Sequence, residues 1–266
     1  MKKPALPAIK AALIALLWIS PAAAQDSATW AETLKKQKMR LETLLTGHFA
    51  NKEQAAYSEA LTKPGDAAFD VVYSLTVAPD GDALSVVSTN GALVPAMTWT
   101  AAIKDQSLHI ESDGPCRGAA SAFLDGFVID FDKACPLAEA TILPQGIYLA
   151  ATEDRPALHM TRASHYSCWV TMPRKDGSGW FFKAGVPLHD QGGEVWIDTD
   201  EKAPQRIGLK MRQAVWPYGI SRESLVLYVH KPENPDKAAS YTWANPGADR
   251  IGLNLRWMQA SCTRKD

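Results

Sequence analysis

From Phe69 onward the chain is written in short runs whose apolar residues recur at every second position, with turn-forming residues between the runs. Successive side chains of a strand point to opposite faces, so this period gives each strand one apolar and one wet face. "FDVVYSLTV" (69–77) and "ALSVVST" (83–89) flank Pro79-Asp80-Gly81-Asp82, a strong hairpin signal. "AMTWTAAI", "SLHIES", "GFVIDFD", "GIYLAAT", "ALHMTR", "HYSCWVTM", "GWFFKAG", "GEVWID", "RIGLKMRQ", "SLVLYVH" and "RIGLNLRWM" continue the series. Asp176-Gly177-Ser178-Gly179 and Gln191-Gly192-Gly193 read as turns within it. The alternation is clearest late: Ile207, Leu209 and Met211 oppose Arg206, Lys210 and Arg212, and Ile251, Leu253, Leu255 and Trp257 oppose Arg250, Asn254 and Arg256. These two segments echo each other, as a duplicated strand would and as convergent amphipathic strands also do. No useful helical spacing follows residue 62. The pattern predicts a mainly β protein, an antiparallel sheet that closes into a barrel or folds into a sandwich. Residues 231–249, rich in Pro and Asn, read as a surface connection carrying at most one short strand.

The N-terminus is written differently. Lys2, Lys3 and Lys10 precede the apolar run Ala11 to Ile19, Pro21 breaks it, and Ala22-Ala23-Ala24 supplies small residues. This is the grammar of a cleavable secretory leader (1–24), too short and wrongly flanked for a membrane anchor. Cleavage is expected after Ala24, placing the protein in the periplasm or outside the cell. No other stretch is long and apolar enough to span a bilayer. Residues 25–66 then form a helical cap. Trp30, Leu34, Leu41 and Leu45 recur at helical intervals over 28–46, with Leu44 widening the stripe. Gly47 suits the left-handed position that ends a helix. Asn51 fits an N-cap, with Gln54 reaching back in a capping box. A second helix should run to about Leu61, stopped by Lys63-Pro64-Gly65. Residues 67–266 make up the β domain, with a C-terminal strand extension.

Composition removes several function classes. Without the leader the chain has 25 basic and 29 acidic side chains, a net charge of −4, which offers no field for nucleic acid. Cys116, Cys135, Cys168 and Cys262 all follow the leader. An even count in an oxidising compartment favours two disulfides, and four cysteines allow three pairings. Nearness along the chain favours Cys116–Cys135, leaving Cys168–Cys262. There is no Cys-x-x-Cys, His-Glu-x-x-His, nucleophile elbow, Walker loop or dinucleotide fingerprint. The six histidines are scattered; His159 and His165 fall on neighbouring strands, but no third ligand has metal spacing, so no metal is expected.

The most unusual stretch is "LHDQGGEVWID" (188–198). His189 and Asp190 precede the glycines, and Glu194, Trp196 and Asp198 share one strand face. Two carboxylates beside an indole suit a cavity wall that grips a ligand. The plainer alternative is a hairpin with a wet outer face carrying one Trp. The chain has nine tryptophans. Trp99, Arg162, Trp169, Trp180, Trp196 and Arg212 are candidates to line a pocket for a flat anion, by stacking and fork-shaped hydrogen bonding. Each Trp taken alone is more often a core filler.

"LLTGHFANKEQA" resembles the N-terminal motif of the CpcT/CpeT-type chromophore lyase family, through Gly47, Phe49, Asn51 and Gln54. "GPC" (114–116) followed by Cys135 is similar to the family's paired cysteines, and "DQGGEVW" (190–196) to its Gly-x-Val-Trp turn. The resemblance runs over roughly residues 40–200. It implies a calycin-like antiparallel barrel with a central cavity, a homodimer, and a linear tetrapyrrole as ligand. In that chemistry a lyase holds and orients the bilin. Asp190 or Glu194 would serve as a proton donor and an arginine would hold a propionate. His189 joins the tryptophans and arginines as a ligand contact. The family's Tyr-Arg-x-Arg segment has no counterpart here, since residues 70–110 contain no arginine. The expected function is therefore binding of a small amphipathic, bilin-like molecule, with lyase activity implied by the resemblance alone. The alternative is a non-catalytic interaction module of the cell envelope.

Overall fold

The structure, a computed structural model, describes residues 21–61, 71–90, 93–215 and 223–265. Most of the leader lies outside these residues. The chain enters as helix α1 (Pro21–Leu45), crosses strand β1 (Gly47–Ala50) and continues as α2 (Lys52–Leu61). Nine strands follow in an up-and-down meander: β2 (Ser74–Asp80), β3 (Ala83–Asn90), β4 (Met97–Lys104), β5 (Ser107–Ser112), β6 (Gly118–Phe123), β7 (Gly126–Phe131), β8 (Glu139–Leu143), β9 (Gly146–Leu149) and β10 (Leu158–Arg162). β1 pairs antiparallel with both β2 and β10, which closes a ten-stranded barrel. Closure satisfies the edges that an open meander would leave bare. The mainly β fold, the closed antiparallel barrel and the N-terminal helical segment are as the sequence implies. The predicted hairpin is present, turning at Gly81-Asp82.

The barrel is smaller than the span 67–266. It ends at Arg162, and the rest of the chain builds a second body. This comprises β11 (His165–Pro173), β12 (Trp180–His189), β13 (Gln191–Asp198), β14 (Arg206–Val215), β15 (Glu223–Lys231), β16 (Asn234–Ala244), β17 (Arg250–Leu255) and β18 (Met258–Arg264). These strands form two four-stranded sheets, ordered β12-β11-β18-β17 and β13-β14-β15-β16. Their inner faces share one core, in which Tyr166, Val170 and Met258 of one sheet meet Leu209, Met211 and Leu227 of the other. Period-two patterning is common to barrels and sandwiches, so it could not reveal where one core stops and the next begins. The region expected as a loop, 231–249, holds the eleven-residue β16, whose alternation continues through Tyr241 and Trp243 at the sheet's edge. The echoing segments lie in different sheets, as β14 and β17.

Two disulfides form, Cys116–Cys135 in the barrel and Cys168–Cys262 across the neighbouring strands β11 and β18. They fit an oxidising compartment outside the cytoplasm. Among the described residues no helix is long and apolar enough to cross a membrane.

Helix α1 lies across the hairpin tips at one barrel end. Leu41 and Leu45 are buried in the barrel core, while Trp30 donates to the Gln106 carbonyl and Arg40 to the Asp125 carbonyl in the β4–β5 and β6–β7 turns. Trp30 itself is largely exposed, at the edge of the predicted stripe.

Candidate functional site at the junction of barrel and sandwich

The barrel interior is filled by its own side chains. Val86, Ile110 and Ile129 retain no accessible surface, and Trp99 retains 2%, its indole N–H directed at the Met97 sulfur 3.2 Å away and its ring 5.9 Å from Phe131. A bilin-sized void along the axis would leave these groups accessible. Trp99 therefore packs the core.

The four motif residues act together as a mechanical joint. The Arg162 guanidinium donates to the carbonyls of Leu44 and Thr46 at the end of α1, and to that of Pro144 at 2.8 Å. It thus supplies partners to carbonyls that a helix end leaves open, and it lies 4.7 Å over the Phe49 ring. Gly47 is needed beneath it. Its φ of +151° disfavours other residues, and an added Cβ would stand 2.7 Å from the Arg162 Nη1. Gly47 opens β1 and does not take the left-handed helix-ending position expected for it.

The capping box does not form either. Asn51, with no accessible surface, begins α2 through its backbone carbonyl. Its side chain serves the neighbouring segment, accepting from the Tyr73 N–H at 2.6 Å and donating to the Val71 carbonyl at 3.1 Å. Gln54 reaches forward to β10, donating to the Ala157 carbonyl and accepting from the His159 N–H, each at 2.9 Å. Tertiary partners displace the local capping geometry at both positions.

Three of the remaining candidates converge at the junction. The chain passes from one sheet of the sandwich to the other at Asp190, so the glycines after it lie within β13 and form no hairpin turn. Asp190 is 3% exposed, and its carboxylate accepts from the Ser164 N–H at 2.9 Å and from the Gln213 amide at 3.0 Å. Arg212 donates from Nη2 to Glu53 Oε2 of α2 at 2.8 Å, with its Nε 2.8 Å from Oε1. His189 stands with its ring 4.5 Å from that of His48 on β1 and 6.1 Å from that of His165 on β11. Burial, then the imidazoles of His48 and His165 and the Lys52 ammonium, push the His189 pKa down to about 4. His48, bonded to the Thr76 hydroxyl at 2.9 Å, is lowered too, by burial and by His165, against the pull of Asp190. The Lys52 ammonium is lowered by burial and by Lys210 and Arg212. Open clefts of about 330 and 460 Å³ flank this cluster, the first beside Asp190 and Arg162, the second beside His165 and His189. Among the described residues no group of three His, Cys, Asp or Glu side chains is placed to hold a metal.

The other candidates lie apart. Glu194 and Trp196 are on the outer face of β13, where the indole donates to the Glu194 carboxylate at 3.0 Å, Lys210 lies 3.4 Å from it, and Arg206 stacks over Trp196. Trp169 is on the outer face of the other sheet, its ring 6.2 Å from Phe182. His159, in the barrel, stacks on Tyr148 and is separated from His165 by the change of domain. His48, Lys52, Glu53 and Gln213 had no local signal. Their proximity depends on β1 closing the barrel beside the sandwich.

No family model, curated protein or solved structure matches the chain.

Proposed function

We propose that the chain is an exported, non-catalytic binding protein of the cell envelope, held in the periplasm, in which a solid barrel supports a sandwich that presents the binding surface. One observation carries this reading. The buried and half-buried polar side chains expected to act on or hold a ligand, Asp190, Arg162 and Arg212, are occupied within the chain, whereas Trp180 and Phe182, 59% and 63% exposed on one sheet face, have no such use. Asp190 holds a backbone amide and an amide side chain, Arg212 holds Glu53, and Arg162 holds the end of α1. A large exposed aromatic patch on a soluble surface marks an interaction site. The leader pattern and the two disulfides support export. A bilin carrier of the CpcT/CpeT type would need room along the barrel axis, where Val86, Ile110 and Ile129 now meet.

The test is co-sedimentation of the purified mature chain with isolated cell-envelope fractions. Wild-type protein should pellet with them, and the W180S/F182S variant should stay in solution with an unchanged melting temperature. Equal pelleting of the two proteins, or quenching of the buried Trp99 by added biliverdin, would remove this reading.

A further inference from the structure

The outer face of the sheet β12-β11-β18-β17 has a composition that selects among ligands. On β12, Trp180 and Phe182 point outward, spaced about 7 Å along the strand. One strand over, Trp169 of β11 continues the row, its plane 33° from that of Phe182. The register then places neutral hydrogen-bonding groups beside the rings. Thr171 stands between Phe182 and Gln259, and Gln259 faces Asn254. Trp169 faces Ser261. Next along the strand, Ser167 faces Thr263, which faces Arg250. Arg250 is the single permanently charged side chain among these outward positions, and its Nε donates to the Ser261 hydroxyl at 2.9 Å.

Trp169 also lies in a trough. Pairing shifts between Cys168 and Val170, so that Ala184 and Gly185 of β12 lie opposite Trp169 alone. Gly185 takes a φ of +70° and an added Cβ there would meet only open space. On the other side Ser261 is followed by Gly252, again without bulk. Bulges of this kind re-aim side chains beside functional sites. The opposite face of the sandwich also exposes rings, Tyr241 and Trp243 on its edge strand, but it differs in charge: it carries Glu194, Asp198, Arg206 and Lys210 and is approached by Glu53 of α2.

We infer that this face binds an extended, uncharged, β-linked glycan chain. The inference rests on the envelope-binding reading and names its ligand. The apolar C–H face of a pyranose stacks on an indole or phenyl ring, and its hydroxyls need neutral donors and acceptors at the ring's edge, which the Gln259 and Asn254 amides provide. The Thr171 hydroxyl, which donates to the Phe181 carbonyl at 2.8 Å, adds an acceptor, while Ser261 is buried and holds Arg250. A β-1,4-linked chain is a flat ribbon suited to an open row of rings, whereas an α-1,4-linked chain curls away from one. A nucleic acid or acidic peptide would need several cations, and the row offers one.

The full mature chain is titrated with chitohexaose, cellohexaose and maltohexaose, followed by tryptophan fluorescence and calorimetry. One or both β-linked hexasaccharides should bind, maltohexaose should not, and W180S/F182S and W169A should each weaken binding at least about tenfold without changing the melting temperature. Absence of binding by both β-linked probes, or equal binding by the variants, overturns the inference. If W180S/F182S loses envelope association but neither β-linked hexasaccharide competes with the wild type, the glycan is wrong and the binding face stands. A concentration-dependent dimer that the double variant abolishes would assign the face to a second copy of the chain instead.

Discussion

Arg212 of β14 and Glu53 of α2 join the two domains: the guanidinium donates to one carboxylate oxygen at 2.8 Å, its Nε lies 2.8 Å from the other, and the Val215 N–H approaches Glu53 at 3.3 Å. Both side chains are mostly buried. Arg212 thus acts as the fastener between α2, which is fixed to the barrel by Asn51 and Gln54, and the sandwich.

Removing one partner of such a pair leaves the other charge poorly solvated. Arg212→Ala is expected to destabilise the protein by about 2–3 kcal/mol in urea unfolding. In the double variant E53Q/R212A the loss should fall short of the sum of the single losses, because the two side chains share one interaction. Additive losses would mean that the pair is not coupled.

Asn51 offers a second check. Its amide group bonds both Tyr73 N–H and Val71 C=O from a site without accessible surface. Asn51→Ala strands two backbone groups and should cost about 2–3 kcal/mol. Asn51→Asp keeps the acceptor for Tyr73 but turns an oxygen toward the Val71 carbonyl, so it should rescue little. A midpoint within experimental error of wild type for N51A would remove Asn51 from the joint.

How far the sequence could be read is visible in these residues. The strand faces of Ile207, Leu209 and Met211 follow from local periodicity, and the helix from Lys52 to Leu61 follows from the N-cap signal at Asn51 and the Lys63-Pro64-Gly65 stop; the structure has both. Asn51 and Gln54 were read as partners of each other because their spacing is that of a capping box. Their partners are Tyr73 and His159, 22 and 105 residues away. Closing the barrel with β1 brings those groups within reach, and no nearby residue encodes that closure. The same holds for His189, whose neighbour His48 lies on the closing strand, and for Trp169 and Phe182, whose side-by-side placement depends on the register of β11 and β12.

The histidine cluster makes stability depend on pH with a definite sign. In the unfolded chain His189 titrates near 6.5, and in the folded chain at about 4. Between those values the unfolded state holds more protons, so acidification favours unfolding. His48 shifts in the same direction. The stabilisation is complete above about pH 6.5 and is lost as pH falls toward 4. The melting temperature should therefore drop across that window, and His189→Phe should flatten the slope. An unchanged slope in H189F would place the acid sensitivity elsewhere.

The two disulfides should matter unequally. Cys168–Cys262 spans 94 residues and Cys116–Cys135 spans 19. Restricting the unfolded chain gives about 4.7 kcal/mol for the longer loop and about 3.3 kcal/mol for the shorter in the chain-entropy treatment. Each bridge also sits in a different core, the longer among Tyr166, Val170 and Met258 of the sandwich, the shorter in that of the barrel. C168S/C262S should therefore lower the sandwich transition, followed by fluorescence of the exposed Trp180 and Trp243, and leave the barrel's buried Trp99 signal at its wild-type midpoint. C116S/C135S should do the reverse with a smaller shift. Coincident shifts of both signals in each variant would mean that the junction at Glu53 and Arg212 makes the two domains unfold as one unit, and the fluorescence of R212A should then separate them.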